Sequence, residues 1–225
     1  LAAERAAKQA EAPVSKAPVK DVFGNAGLMK LVILNFFYQT GDYGYTLWLP
    51  TILKGLTGGN MASVGFLAVL PFVATLAGIY VISLFSDHSG KRRLWVRFSL
   101  YSFAAALVAS VVLRDHMVAA YIALVICGFF LKSATSPFWS MPGRIASPEV
   151  AGSARGVING LGNLGGFCGP YLVGVMMYLY GQNVAVCALA GSLIIAGTMT
   201  FLLPKQCDLV DSDSDVAIKN QPRNA

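Results

Sequence analysis

Residues 136–170 read S-P-F-W-S-M-P-G-R-I-A-S-P-E-V-A-G-S-A-R-G-V-I-N-G-L-G-N-L-G-G-F-C-G-P. The stretch lies between apolar runs long enough to cross a bilayer, and its second half is itself apolar enough to cross one. Yet it carries two asparagines, several prolines and a dense set of glycines. Hydrocarbon offers a side-chain amide no hydrogen bond, so Asn159 and Asn163 are expected to face other helices or a watery cavity. On a helix, Asn159, Gly162, Asn163, Gly166 and Pro170 share one face that is polar and nearly bare of bulk. Gly156 with Gly160, Gly162 with Gly166, and Gly165 with Gly169 are small-xxx-small pairs that let a neighbouring backbone come close. Gly and Pro weaken a soluble helix but are tolerated in membrane helices. Plain helix packing is the alternative reading of these glycines.

Composition sets the class. Hydrophobic residues make up 56% of the chain, charged residues 12%, and mean hydropathy is +0.61. A soluble domain carries about 25% charged residues, so the chain reads as an integral membrane protein in contact with lipid. A span needs about 20 largely apolar residues, and six candidates lie at roughly 29–53, 62–86, 94–113, 117–139, 154–180 and 183–203. The expected fold is all-α, with six transmembrane helices in one bundle over 29–203. Residues 1–28 read as a cytoplasmic linker and 204–225 as a disordered cytoplasmic tail. No soluble domain remains.

The net charge of +6 is an orientation signal rather than a nucleic-acid site. With the N-terminus inside, Lys91, Arg92, Arg93, Arg97, Arg144, Arg155 and Lys205 fall at inner span ends, and only Lys54 and Arg114 fall outside. This positive-inside bias puts both termini on the cytoplasmic side of the cell (inner) membrane. Cys127, Cys168, Cys187 and Cys207 form no C-x-x-C, so neither a metal site nor a disulfide framework is indicated. With two histidines and no Ser/His/Asp constellation, no enzyme and no cofactor are expected.

Residues 1–28 contain no signal-peptide h-region. A polar helix is expected from Leu1 to Ala12, stopped by Pro13 and Pro18. The start at Leu1 reads as a linker between two membrane halves. In the first span Gln39 and Asp42 lie near mid-depth, where an acid is a functional candidate. Gly41 and Gly44 are expected to loosen this span midway. In the fourth span Lys132 lies well inside, at a depth similar to Asp42. The two are expected to form an intramembrane ion pair, because each alone is costly; the alternative is that Lys132 snorkels to the inner surface. Pro71 is expected to kink the second span, and Ser147 followed by Pro148 reads as a capped helix start.

The loop S-D-H-S-G-K-R-R (86–93) resembles the loop motif of the major facilitator superfamily, with Ser83 where that pattern usually has Gly. G-Y-T-L-W-L-P-T-I-L-K, P-F-W-S-M-P and I-N-G-L-G-N-L-G-G-F-C-G-P-Y-L-V-G are similar to its anion:cation symporter branch, over essentially all of residues 28–203. That branch includes permeases for sugar acids, tartrate and phthalate-like acids. The resemblance implies the carboxyl-terminal half of a twelve-helix transporter, built as two inverted three-helix repeats and partnered by an amino-terminal six-helix half. It implies import of a small organic anion (carboxylate) by symport with H+ or Na+. It implies that Ser136, Trp139 and Asn159 contact substrate, and it sets Phe138 where sugar-acid members have a polar residue. By position, Asn163, Gln39, Tyr43 and Tyr38 would line the same wall. It makes Ser83, Asp87, Gly90, Lys91, Arg92 and Arg93 a conformational-switch loop. An ordinary positive-inside loop remains the plain reading of those residues. The rival functions are a self-contained six-helix channel and a non-transporting membrane subunit.

Overall fold

The computed structural model describes residues 19–208; the expected helix at 1–12 and the tail beyond 208 lie outside the described residues. Within them the chain is all-helical. The helices are α1 (Val19–Gly24), α2 (Ala26–Thr57), α3 (Met61–Ser89), α4 (Arg92–Val112), α5 (Met117–Leu131), α6 (Thr135–Trp139), α7 (Pro142–Ile145), α8 (Ala151–Tyr180) and α9 (Gln182–Met199). Two 3-10 turns, Thr200–Leu202 and Lys205–Cys207, follow. The caps follow local chemistry. Asn25 Oδ1 accepts from the Gly27 and Leu28 amides at 2.9 and 3.3 Å, and Asn60 Oδ1 accepts from the Ser63 amide at 2.9 Å. Each satisfies donors that the first helical turn leaves unpaired. The expected cap at Ser147 does not form. α8 starts at Ala151 without a side-chain cap, and the Ser147 carbonyl accepts from Val150 and Ala151 in a turn.

Among the described residues, four segments are long and apolar enough to cross a membrane: Met61–Ser89, Arg92–Val112, Met117–Ile145 and Gln182–Leu202. Six spans are expected from the sequence; α2 and α8, the other two, do not reach this apolarity. At 32 and 30 residues and about 1.5 Å per residue, both are long enough. Gln39, Asp42, Asn159, Asn163 and many glycines dilute them. They make the most extensive helix–helix contact in the bundle. Lipid is as apolar as leucine, so such helices associate through close packing and interhelical hydrogen bonds rather than hydrophobic burial.

Glycine makes that approach possible. A Cβ on Gly165 would run into the Phe36 carbonyl oxygen, and one on Gly169 into the Thr40 carbonyl. Gly162 sits against the Asn35 amide, whose Nδ2 donates to the Ile158 carbonyl at 3.0 Å. Gly156 and Gly160 face open space. Gly41 and Gly44 do not loosen α2, which is continuous; they receive Leu193 and Leu189 of α9.

α3 packs on α5 through the same device, with Gly78 against the Phe129 carbonyl and Gly128 against Pro71. Pro71 lacks an N–H, so the Leu67 carbonyl one turn back loses its helical donor. The Tyr121 hydroxyl replaces that donor at 2.9 Å. At the basic end, α3 stops at Gly90, whose φ of 66° suits glycine alone, with its N–H on the Ser86 carbonyl. Arg93 then holds the segment that follows α9: its backbone N and Nε donate to Asp208 at 2.9 and 2.7 Å, and Nη1 donates to the Leu203 carbonyl at 2.9 Å. Residues 204–208, placed in the disordered tail from sequence, are thereby docked, with Cys207 fully buried.

Candidate functional site

α2 lies between α8 and the segment 117–145, and its polar residues divide between those neighbours. Tyr38 and Asp42, one turn apart, face the break that follows α5. Gln39 and Tyr43, one position round, face α8. The break has a local cause. Pro137 has no N–H and its ring conflicts with a carbonyl four residues back, so a helix cannot run through Ser133. α5 ends at Leu131, Lys132–Ala134 form a turn, and α6 restarts with Pro137 in its first turn, where proline is accepted.

The break leaves helix-end carbonyls without donors. The Tyr38 hydroxyl donates to the Leu131 carbonyl at 2.8 Å and lies 3.1 Å from Thr135 Oγ1. Lys132 Nζ donates to Asp42 Oδ2 at 2.5 Å. The expected ion pair is therefore present, and Lys132 does not snorkel away. The Asp42 side chain is 2% exposed and that of Lys132 38%. Asp42 Oδ1 is buried and has no hydrogen-bond partner among the described residues. The Lys132 ammonium also stands 5.5 Å from the Tyr43 ring centroid.

On the other side, Gln39 Nε2 donates to Asn163 Oδ1 at 2.8 Å, and Asn163 Nδ2 donates to Asn159 Oδ1 at 3.1 Å. Asn159, Asn163 and Tyr43 are exposed, and Gln39 is half-buried. The Tyr43 ring lies against Gly166 of α8. Asn159, Asn163, Gln39, Tyr43 and Lys132 thus make a polar strip across three helical segments, with Asp42 buried beneath Lys132. It is an open face of the bundle rather than an enclosed pocket.

The remaining candidates fall nearby or elsewhere. Ser136, one turn beyond Lys132, is exposed, and Trp139 is half-buried against the core. Phe138 is fully buried, its ring 5.2 Å from that of Trp139, so it points inward and cannot shape the open face. Ser83, Asp87, Gly90 and Lys91–Arg93 lie together at the basic end. There Asp87 and Arg92 are 3.8 Å apart, while Arg93 is committed to Asp208. The sequence reading missed Asn35 and Asp208. Asn35 is buried glue between α2 and α8. Asp208 stands 115 residues from its partner Arg93, and nothing local marks that pairing. Among the described residues, no three His, Cys, Asp or Glu side chains group to hold a metal.

The chain is similar in sequence to known proteins. The chain is 34% identical over 159 residues to the Quinolone resistance transporter of Acinetobacter baumannii, covering 69% of this chain and 36% of that protein. It is 30% identical over 187 residues to the Inner membrane transport protein RhmT of Escherichia coli K12, covering 79% and 42%. It is 28% identical over 179 residues to an Agrobacterium vitis protein named for tartrate transport, covering 79% and 39%. The chain thus spans less than half the length of each of these curated relatives. The sequence profile described as Major Facilitator Superfamily matches residues 31–215, and the chain belongs to that superfamily.

Proposed function

We propose that the chain is the carboxyl-terminal six-helix half of a secondary transporter for a small organic anion, of the anion:cation symporter branch. In this reading α2 and α8 are spans as well, and the six form two inverted three-helix repeats. The half rocks against an amino-terminal half about the polar strip, in a cell membrane with both termini cytoplasmic. The observation that carries it is the strip itself. Amides and an ammonium on an uncovered membrane-depth face need a watery cavity or a partner bundle to cover them. Lys132 supplies a positive charge there, and Ser136 and Trp139 extend the wall. Several relatives are named for carboxylate cargo: tartrate, galactarate and D-glucarate, and sulfoacetate.

The test is uptake by cells expressing the full-length parent, screened over labelled tartrate, D-glucarate, sulfoacetate and aromatic carboxylates. Saturable uptake of one of these, weakened by Asn159→Ala, supports the reading. Absence of uptake for all of them rejects it. A second reading, drug export, is favoured by the quinolone-resistance relative and by the aromatic rings of Tyr43 and Trp139 beside the strip. Raised quinolone tolerance in the expressing strain, without anion uptake, would select it.

A further inference from the structure

We propose that Lys132 receives the substrate carboxylate and that Asp42 is its resident counter-ion, displaced by substrate and then neutralised by a proton. The inference rests on the organic-anion reading above and names the coupling ion and the residues that hold it.

The pair is asymmetric. Lys132 is more than a third exposed on the open strip, whereas Asp42 is almost wholly covered. An anion arriving at that face meets the ammonium and not the carboxylate. Lys132 belongs to the turn of the broken segment, between two helices rather than inside one, so its side chain can change partners without unwinding a helix. Asp42 has no such freedom. One of its oxygens bonds Lys132 and the other has no partner among the described residues.

Among the described residues, Lys132 is the one cation in an ion pair with Asp42. The Tyr38 hydroxyl is already engaged with the Leu131 carbonyl and Thr135. Tyr43, on the same helix, turns its ring toward Lys132 and Gly166. The neighbours of the adjoining α2 residues are Leu193 and Leu189 of α9 on Gly41 and Gly44, Gly165, Gly166 and Gly169 of α8 on Phe36, Tyr43 and Thr40, and Phe103 of α4 on Tyr45. None of these is a cation. When a substrate carboxylate takes Lys132, Asp42 is left as an isolated buried anion, and such a group neutralises by taking a proton.

The exchange balances. The Lys132–Asp42 ion pair breaks and the Lys132–substrate ion pair forms. One proton from the aqueous side binds the Asp42 carboxylate. Counting the one carboxylate that Lys132 receives, the loaded pair carries the same net charge as the empty one. The second acidic group of a dianion such as tartrate adds a charge that this pair does not balance. Release of the anion lets Lys132 return and expels the proton, so one anion and one proton travel together.

The experiment uses the full-length transporter in proteoliposomes with labelled tartrate, D-glucarate and sulfoacetate. In the parent, an acid-outside pH gradient without sodium should drive uphill accumulation. Asp42→Asn should abolish uphill accumulation but keep anion counterflow, which also shows that the variant is folded. Lys132→Gln should raise the half-saturating concentration by about tenfold or more, with partial recovery in Lys132→Arg. If Asp42→Asn does not fold, proton uptake on anion binding is measured in the parent with a pH dye: one proton per anion supports the exchange, and none overturns it. Uphill transport by Asp42→Asn, or by the neutral double variant Asp42→Asn/Lys132→Gln, would reduce the pair to a structural contact. Accumulation that needs a sodium gradient would overturn the proton assignment. If the parent moves none of the three anions, the organic-anion reading falls, and this inference with it.

Discussion

Gln39 donates its side-chain amide to Asn163 at 2.8 Å across the seam of α2 and α8. Asn163 donates in turn to Asn159, so it is the middle member of a three-amide relay. Asn163→Ala breaks two hydrogen bonds and leaves both neighbours without their partner, whereas Asn159→Ala breaks one. At about 1 kcal/mol per bond, Asn163→Ala should weaken substrate affinity several-fold more than Asn159→Ala. Half-saturating concentrations for uptake of the same anion compare the two.

The glycines of α8 should separate by face. Gly165→Leu forces a side chain into the Phe36 carbonyl; overpacking of this kind costs about 1–3 kcal/mol or more. Gly156→Ala meets nothing within 4 Å and replaces the weaker helix former, a gain of about 0.5–1 kcal/mol in an ordinary helix. Thermal unfolding of the detergent-purified protein should therefore fall for Gly165→Leu and hold or rise for Gly156→Ala.

Tyr121→Phe removes the donor that serves the Leu67 carbonyl in place of the missing Pro71 N–H. The expected loss is about 1 kcal/mol, within the range for interhelical hydrogen bonds in membranes. In a Pro71→Ala background the helix supplies its own donor, so the same change should cost little. A double-mutant cycle on denaturation midpoints reads the difference.

Burial pushes the Cys207 thiol from its ordinary value near 9 up to about 11, against the opposing pull of Arg93. A released tail would ionise from about pH 9, whereas the docked tail holds its proton until about pH 11. Docking is thus fully favoured below pH 9 and weakens as pH rises across that window. Maleimide labelling of Cys207, mapped by mass spectrometry, should be slow at pH 7.5. It should rise by about tenfold or more in Arg93→Ala or Asp208→Ala, which cut charge-assisted bonds holding the turn.

What the sequence disclosed depended on range. Burial of an acid and an ammonium at equal depth is costly enough that Asp42 and Lys132 could be paired across 90 residues by counting from span ends. The polar face of α8 followed from helical spacing in the same way. Contacts decided by three-dimensional approach were not legible. Gly41 and Gly44 read as loosening because a glycine does not announce the leucine that fills its place. Asp208 read as part of an acidic tail, because its partner Arg93 lies 115 residues away in the first turn of α4. α2 and α8 are less apolar than the other four segments because they carry the amides, the acid and the glycines of the polar strip and the seam.

At Gly165 and Gly169 of the α2–α8 seam, main chain meets main chain with no side chain between to act as a bearing. Two rods in such contact resist sliding or rolling past each other and respond to force as a single stiff lever. The stretch between Leu131 and Pro142 is instead interrupted by turns and held to α2 by side chains, Tyr38 and Asp42. The Lys132 ammonium sits on that interrupted stretch, so in the exchange proposed above a change of charge partner would act directly on its tie to the lever.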